Sequence, residues 1–240
     1  METPVSDRQG SQGTRRQAVR RAAGWALAAM LLMGAVPVAA KDSPVSLPAP
    51  RLGAAVPLQK LLSGRSSSRS FGSGSVSLQQ AADLLWAAQG RSHGAEGRTA
   101  PSAGALYPLE VYLVAGNVAR LEPGVYRYRP AGHRLVRTAA GDRRVPLAGA
   151  ALDQPWVEAA PAALVIVGVY ERTTGKYGQR GIRYVHLEAG AAMENVYLAA
   201  SATGLATVMV GAFRDREVVE ALRLPHNAHP LAVLPFGLPP

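Results

Sequence analysis

At 240 residues, 48% of them hydrophobic, the chain is long enough for one domain with a full core. It holds no cysteine, which excludes disulfides and thiolate metal sites. Its 26 basic residues against 16 acidic ones give a formal charge of +10, but the arginines are dispersed, without a lysine-rich run or aromatic interleaving, so no nucleic-acid partner is expected.

The first forty residues read as an address. Arg15, Arg16, Arg20 and Arg21 precede an apolar run over 22–36, and Val38, Ala39 and Ala40 form a small-residue cleavage site. The run is shorter than the ~20 apolar residues that span a bilayer, so membrane contact is expected only transiently, during export. A single amino-terminal anchor is the other reading, although Gly24, Gly34 and Pro37 dilute the helix it would need. Arg15 with Arg16 also loosely matches a twin-arginine signal, with Ala18 where a large apolar residue is usual; a general secretory signal is the alternative. The expected location is periplasmic or otherwise exported.

Residues 41–57, rich in Pro, Ser and Ala, read as a linker, and a single domain is expected over 58–240. Ser77 with Gln80 forms a capping-box pattern, after which Leu78, Ala81, Leu84, Leu85 and Ala88 share one helical face until Gly90 ends it. A strand follows over 109–114. Strands over 125–128 and 134–136 flank Pro130, Ala131 and Gly132 as a hairpin. The continuous apolar run 164–170 reads as a central strand. Further strands are expected over 206–210 and 231–236, with a short helix over 216–222 between them.

The segment 184–203 is apolar nearly all round, through Val185, Leu187, Ala189, Ala192, Val196, Leu198 and Ala199, with Glu188 and Glu194 its only charges. Such a helix must be buried. In a domain this small a second subunit covering one face, as in a C2 homodimer, does this most easily; the central helix of a monomer is the alternative. Hairpins mixed with helices place the chain in the α+β class, with helices flanking a central, mostly antiparallel sheet.

Three short stretches carry chemistry. Arg65 and Arg69, separated only by Ser66, Ser67 and Ser68, offer paired guanidinium donors and hydroxyls to a phosphate. Pro101, Ser102, Ala103 and Gly104 are small enough for backbone to approach a flat ring. Val210, Gly211 and Ala212, before Phe213, have the same character. Taken singly, the three also fit a flexible linker, a turn and a strand end. His226 and His229 share a loop without a neighbouring carboxylate, so no metal site is expected. There is no P-loop, dinucleotide fingerprint or nucleophile elbow.

In order and spacing these stretches resemble the FMN-dependent nitroreductase family, and within it the SagB/ThcOx type of azoline dehydrogenase. The resemblance runs over 58–237 and takes in residues 84–90, Tyr170, Glu171, Arg172, Lys176, Tyr177, Gly178, residues 187–190 and Asn195. It implies a nitroreductase-like fold and a homodimer with two FMN molecules in the subunit interface. Arg65, Ser66, Ser67 and Arg69 would contact the FMN phosphate and ribityl chain. Pro101, Ser102, Ala103 and Gly104 would lie against the isoalloxazine of a flavin bound mainly by the other subunit. Val210, Gly211 and Ala212 would face flavin N5, with the Gly211 N–H as donor.

Lys176 and Tyr177 are implied as the base that removes a carbon-bound proton while hydride passes to N5, which requires surroundings favouring a deprotonated form. They are expected on a loop over 173–181; two surface loop residues without a catalytic role are the alternative. Two departures stand out: no Lys or Arg follows Arg223, and Ala191 stands where the branch commonly has His. The function implied is an exported FMN-dependent oxidoreductase acting on a small-molecule substrate. Reduction of a quinone or nitroaromatic compound, or flavin binding without turnover, are the alternatives.

Overall fold

The computed structural model describes residues 1, 43–53, 56–92 and 97–240; the expected export signal, Met1 apart, lies outside the described residues. Strands β2 (Leu109–Ala115) and β5 (Ala162–Gly168) are buried along their whole length, as is most of β7 (His229–Gly237). Strands so apolar must be covered on both faces, and these three lie side by side. With β1 (Val45–Ser46), β3 (Gly124–Arg129), β4 (Arg134–Ala140) and β6 (Ala206–Thr207), they form a sheet of order β1-β4-β3-β2-β5-β7-β6. Every pairing is antiparallel.

Alternation along the strands divides the interior into two cores. Leu113, Leu164, Ile166, Leu234 and Phe236 point to one face, where α2 (Leu78–Gln89) and α6 (Arg180–Ala202) cover them. Tyr112, Val114, Val165, Val167 and Val233 point to the other. There Leu147 of α3 (Arg144–Ala150), Val157 of α4 (Pro155–Ala159) and Leu222 of α7 (Asp215–Leu222) close the core. The expected α+β architecture, a sheet flanked by helices, is what the chain adopts. Two further helices, α1 (Leu58–Gly64) and α5 (Glu171–Tyr177), lie outside these layers and border the site.

Helix α2 starts where the sequence places it. Ser77 Oγ accepts the Gln80 N–H at 3.1 Å and Gln80 Oε1 accepts the Ser77 N–H at 3.1 Å, so two otherwise unpaired donors are satisfied reciprocally. Elsewhere the structure departs from the sequence reading. The strand expected over 206–210 shortens to β6, although the Val208 and Val210 N–H groups still donate to the Pro235 and Val233 carbonyls of β7; the intervening Met209 N–H donates instead to the Tyr197 hydroxyl. Lys176 and Tyr177 close helix α5, which Gly178 ends at φ 55°, rather than occupying a loop.

The stretch expected as a linker also carries structure. Val45 and Ser46 pair with Leu135 and Arg134, Leu47 is buried, and Arg51 binds the buried Asp83 through both its backbone N–H and its guanidinium. Helix α6 is buried on one side only: Val185, Ala189, Ala192, Val196 and Ala200 face the core, while Leu187 is 65% exposed.

Candidate active site

Helix α6 carries two groups that organise two clusters. Near its carboxyl end the Tyr197 hydroxyl accepts the Met209 N–H at 2.7 Å and lies 3.0 Å from Ser67 Oγ, to which its own proton is free to point. The Ser68 N–H donates to the Thr207 carbonyl at 3.0 Å. These bonds fasten the Arg65 to Arg69 stretch to the segment leading into Val210, Gly211 and Ala212, residues some 140 positions away in the chain. Gln154 Nε2 holds the Ala212 carbonyl at 2.9 Å.

The two arginines are exposed and stand over aromatic faces, Arg65 5.2 Å from the Tyr197 ring centre and Arg69 5.6 Å from that of Trp156. Neither forms an ion pair among the described residues. Arg65, Ser66 and Ser68 border a cleft of about 250 Å3 against Tyr197, Ser201 and Thr207, and no carboxylate lines it. Uncommitted guanidiniums beside hydroxyls suit a phosphate-bearing ligand. Gly211 and Ala212 are exposed, whereas the Val210 side chain is 3% exposed in the second core, so only its backbone is offered to the site.

The second cluster lies further towards the amino end of α6. Glu188 Oε1 accepts the Ala103 N–H at 2.8 Å, and Ser102 Oγ accepts the Tyr107 N–H at 2.9 Å, which folds the Pro101 to Gly104 loop tightly onto the helix. Asn195 Nδ2 donates to the carbonyls of Ala87 and Thr99 and anchors the loop's entry. Gly104 adopts φ 62°, and a Cβ there would stand 2.7 Å from the Tyr177 hydroxyl and 3.0 Å from Lys176 Nζ. Glycine leaves room for these tips and adopts this left-handed conformation without strain. The side-chain tips of Lys176 and Tyr177 thus converge on the Gly104 backbone, with the Tyr177 ring edge-on to Tyr184 at 5.2 Å.

Glu188 is 5% exposed, and its second oxygen is buried without a partner among the described residues. Burial raises its pKa, and hydrogen bonds from the Ala103 N–H and the Ser102 hydroxyl only partly offset this. Within one chain the two clusters remain apart. Glu188 and Tyr197 are nine positions apart on a continuous helix, which separates them by about 13 Å along its axis. Tyr197 and Trp156 had no signal in the sequence, since their partners are remote; Glu188 did have one, as a carboxylate on an apolar helix.

An antiparallel sheet wrapped by helices thus carries a cationic cleft and, apart from it, a glycine held against a Lys and Tyr pair. Residues 62–238 match the Nitroreductase family, and the chain belongs to that family of oxidoreductases, which generally use flavin. It is 43% identical over 182 residues to the nitroreductase-like protein MJ1384 of Methanocaldococcus jannaschii, an alignment covering 76% of this chain and 91% of that protein. It is 31% identical over 148 residues to the microcin B17-processing protein McbC of Escherichia coli, covering 58% of this chain and 54% of McbC. Among solved structures, a nitroreductase-like protein of Ralstonia eutropha superposes with a TM-score of 0.73 at 30% identity, over 86% of this chain and 96% of that one.

The raised pKa of Glu188 has a signed consequence. At and below the ordinary glutamate value of 4.5 the folded and unfolded chains both tend to hold the proton. As pH rises from there, the unfolded carboxyl ionises first and stability falls until the folded one has ionised too. Glu188→Gln should therefore gain stability relative to the parent as pH is raised from 4.5 toward neutrality, read from urea midpoints. Parallel profiles for the two proteins would show that Glu188 titrates normally.

Proposed function

We propose that two copies of the chain form a C2 homodimer that binds FMN between the first cluster of one protomer and the second cluster of its partner. The convergence of Lys176 and Tyr177 on Gly104 is the observation that carries this reading. Bound FMN would supply a two-electron hydride acceptor at N5. The chain's own part is binding, placement and proton removal.

Arg65 and Arg69 would hold the phosphate, with Ser66 and Ser67 on the adjoining oxygens and Tyr197 fixing Ser67. The Gly211 N–H, at the exposed end of the bridge from Val210, would donate toward the flavin ring. Gly104, lacking a Cβ, would let Pro101, Ser102 and Ala103 lie close to that ring. Lys176 and Tyr177 would take the proton from a substrate carbon as the same substrate loses hydride, the chemistry of a SagB/ThcOx-like dehydrogenase. The likeness to McbC supports this branch.

Geometry as well as family supports the dimer. The exposed face of α6, on which Leu187 stands next to Glu188, runs along the helix toward Tyr197. A twofold axis crossing that face sets the Glu188 end of one helix beside the Tyr197 end of the other. A second reading, reduction of a quinone or nitroaromatic compound, is favoured by the higher identity to MJ1384. It needs the flavin site without the base.

Three measurements test the reading. Arg69→Ala should weaken FMN binding about tenfold or more while leaving riboflavin binding nearly intact, because only FMN carries the dianion. Equal loss of both ligands would place Arg69 elsewhere. Leu187→Glu puts a charge into the proposed interface and should give a monomer in sedimentation that no longer retains FMN; a dimer that keeps FMN would remove that face from the interface. Lys176→Ala and Tyr177→Phe should each retain FMN yet lose substrate-driven flavin reduction, with reoxidation by a quinone preserved. Substrate-driven reduction within about threefold of the parent would leave only the reductase reading.

A further inference from the structure

The sheet opens between β2 and β3. Tyr112 pairs with Arg127 and the register continues to Ala115 with Gly124, but residues 109–111 pair only with β5, and Tyr128 and Arg129 only with β4. The opened slot is a pocket of about 200 Å3 between the backbone edges 109–111 and 128–130. Four arginines line it, Arg98, Arg127, Arg129 and Arg172, against one acidic residue, Glu110.

That carboxylate is already occupied. Arg127 and Arg172 both donate to Glu110 Oε1, and the Tyr112 hydroxyl donates to Oε2 at 3.2 Å. Arg98 and Arg129 have no carboxylate partner among the described residues. Arg98 is held by its stacking over the Tyr107 ring at 4.8 Å, and its Nη1 is buried with no acceptor among the described residues. A buried guanidinium N–H without an acceptor is costly unless a ligand supplies one, and the surplus of positive charge selects an anion. The volume suits one headgroup, not a flat ring.

The position of the pocket gives it a use. Arg172 and Lys176 are four residues apart on α5 and so share a face, one turn apart. Arg172 Nη1 also donates to the Tyr107 carbonyl at 3.1 Å, and Tyr107 lies three residues beyond Gly104, a reach of at most about 11 Å. We infer that this pocket seats an oxyanion, a carboxylate, sulfonate or phosphate, carried by the substrate whose reacting carbon lies at Lys176 and Tyr177. The pocket follows from the geometry alone; its role as a substrate subsite rests on the reading of that pair as the reaction site. The substrate class is then an acidic small molecule or an acidic side chain of a peptide.

Two measurements test the inference separately from the flavin reading. In an Arg65→Ala, Arg69→Ala background, which removes the other cationic cleft, calorimetric titration with inorganic sulfate should show saturable binding. Arg98→Gln should weaken it about tenfold, and Arg98→Lys should largely restore it. No saturable binding by the background protein, or no change in Arg98→Gln, overturns the site. The second measurement uses the FMN-loaded, chemically reduced full chain, reoxidised by a neutral quinone or by its sulfonated analogue. Arg98→Gln should lower kcat/KM for the sulfonated quinone about tenfold through KM while leaving the neutral one unchanged. Equal effects on both quinones overturn the placement beside the reaction site. Failure of the parent to reduce either quinone is a failure of the oxidoreductase site, and sulfate binding then decides the pocket by itself.

Discussion

The buried carboxylate of Glu188 is the constraint on which the site depends. An ionisable group 5% exposed on a helix face is costly unless its oxygens are hydrogen-bonded, and the donor nearest to hand is the Ala103 backbone N–H. Satisfying that carboxylate draws the Pro101 to Gly104 loop onto α6, and the loop in turn sets Gly104 beside the tips of Lys176 and Tyr177. At the other end of the helix Tyr197 does the same for Ser67 and Met209 with a single hydroxyl. One 23-residue helix therefore positions both clusters within the chain, and its rigidity fixes the distance between them.

The sheet supplies the platform that lets α6 do this. Strands β2, β5 and β7 are covered on both faces, so the loops at their ends are carried by close-packed layers and have little freedom to drift. Where that packing relaxes, between β2 and β3, the backbone edges part and charged side chains gather instead. Glu110 on β2, Arg127 on β3 and Arg172 on α5 close part of the gap as one ion-paired group. The carboxyl-terminal segment has a structural part rather than an electrostatic one: the Leu238 carbonyl accepts the Gly72 N–H at 2.9 Å, and Pro239 forms a wall of the cationic cleft. Among the residues that line that cleft, Arg65 carries the positive charge.

Much of this was legible in the chain because it is local. The period-2 and period-3.6 patterns, the Ser77 cap and the Gly90 stop depend on residues within a few positions of one another, and the elements they announce lie where expected. The three small-residue and basic stretches were equally visible, since each is a contiguous string. What failed has more than one source: residues 45–47 were read as linker because their pairing partner lies near position 135, β6 was read three residues too long, and Lys176 and Tyr177 were placed on a loop although they close helix α5.

The convergence of Lys176 and Tyr177 on Gly104, the anchoring of Ser67 by a tyrosine 130 residues away, and the pocket where β2 parts from β3 belong to tertiary structure alone. They depend on strand register and helix placement, and these are settled by packing across the whole core, where a shift of one residue would turn every side chain to the opposite face. The sequence by itself determined the α+β class, the order of the elements and the residue types available for binding an anion. Which of those residues meet was decided by the fold, because contact between remote positions is a property of the assembled layers and not of any string within them.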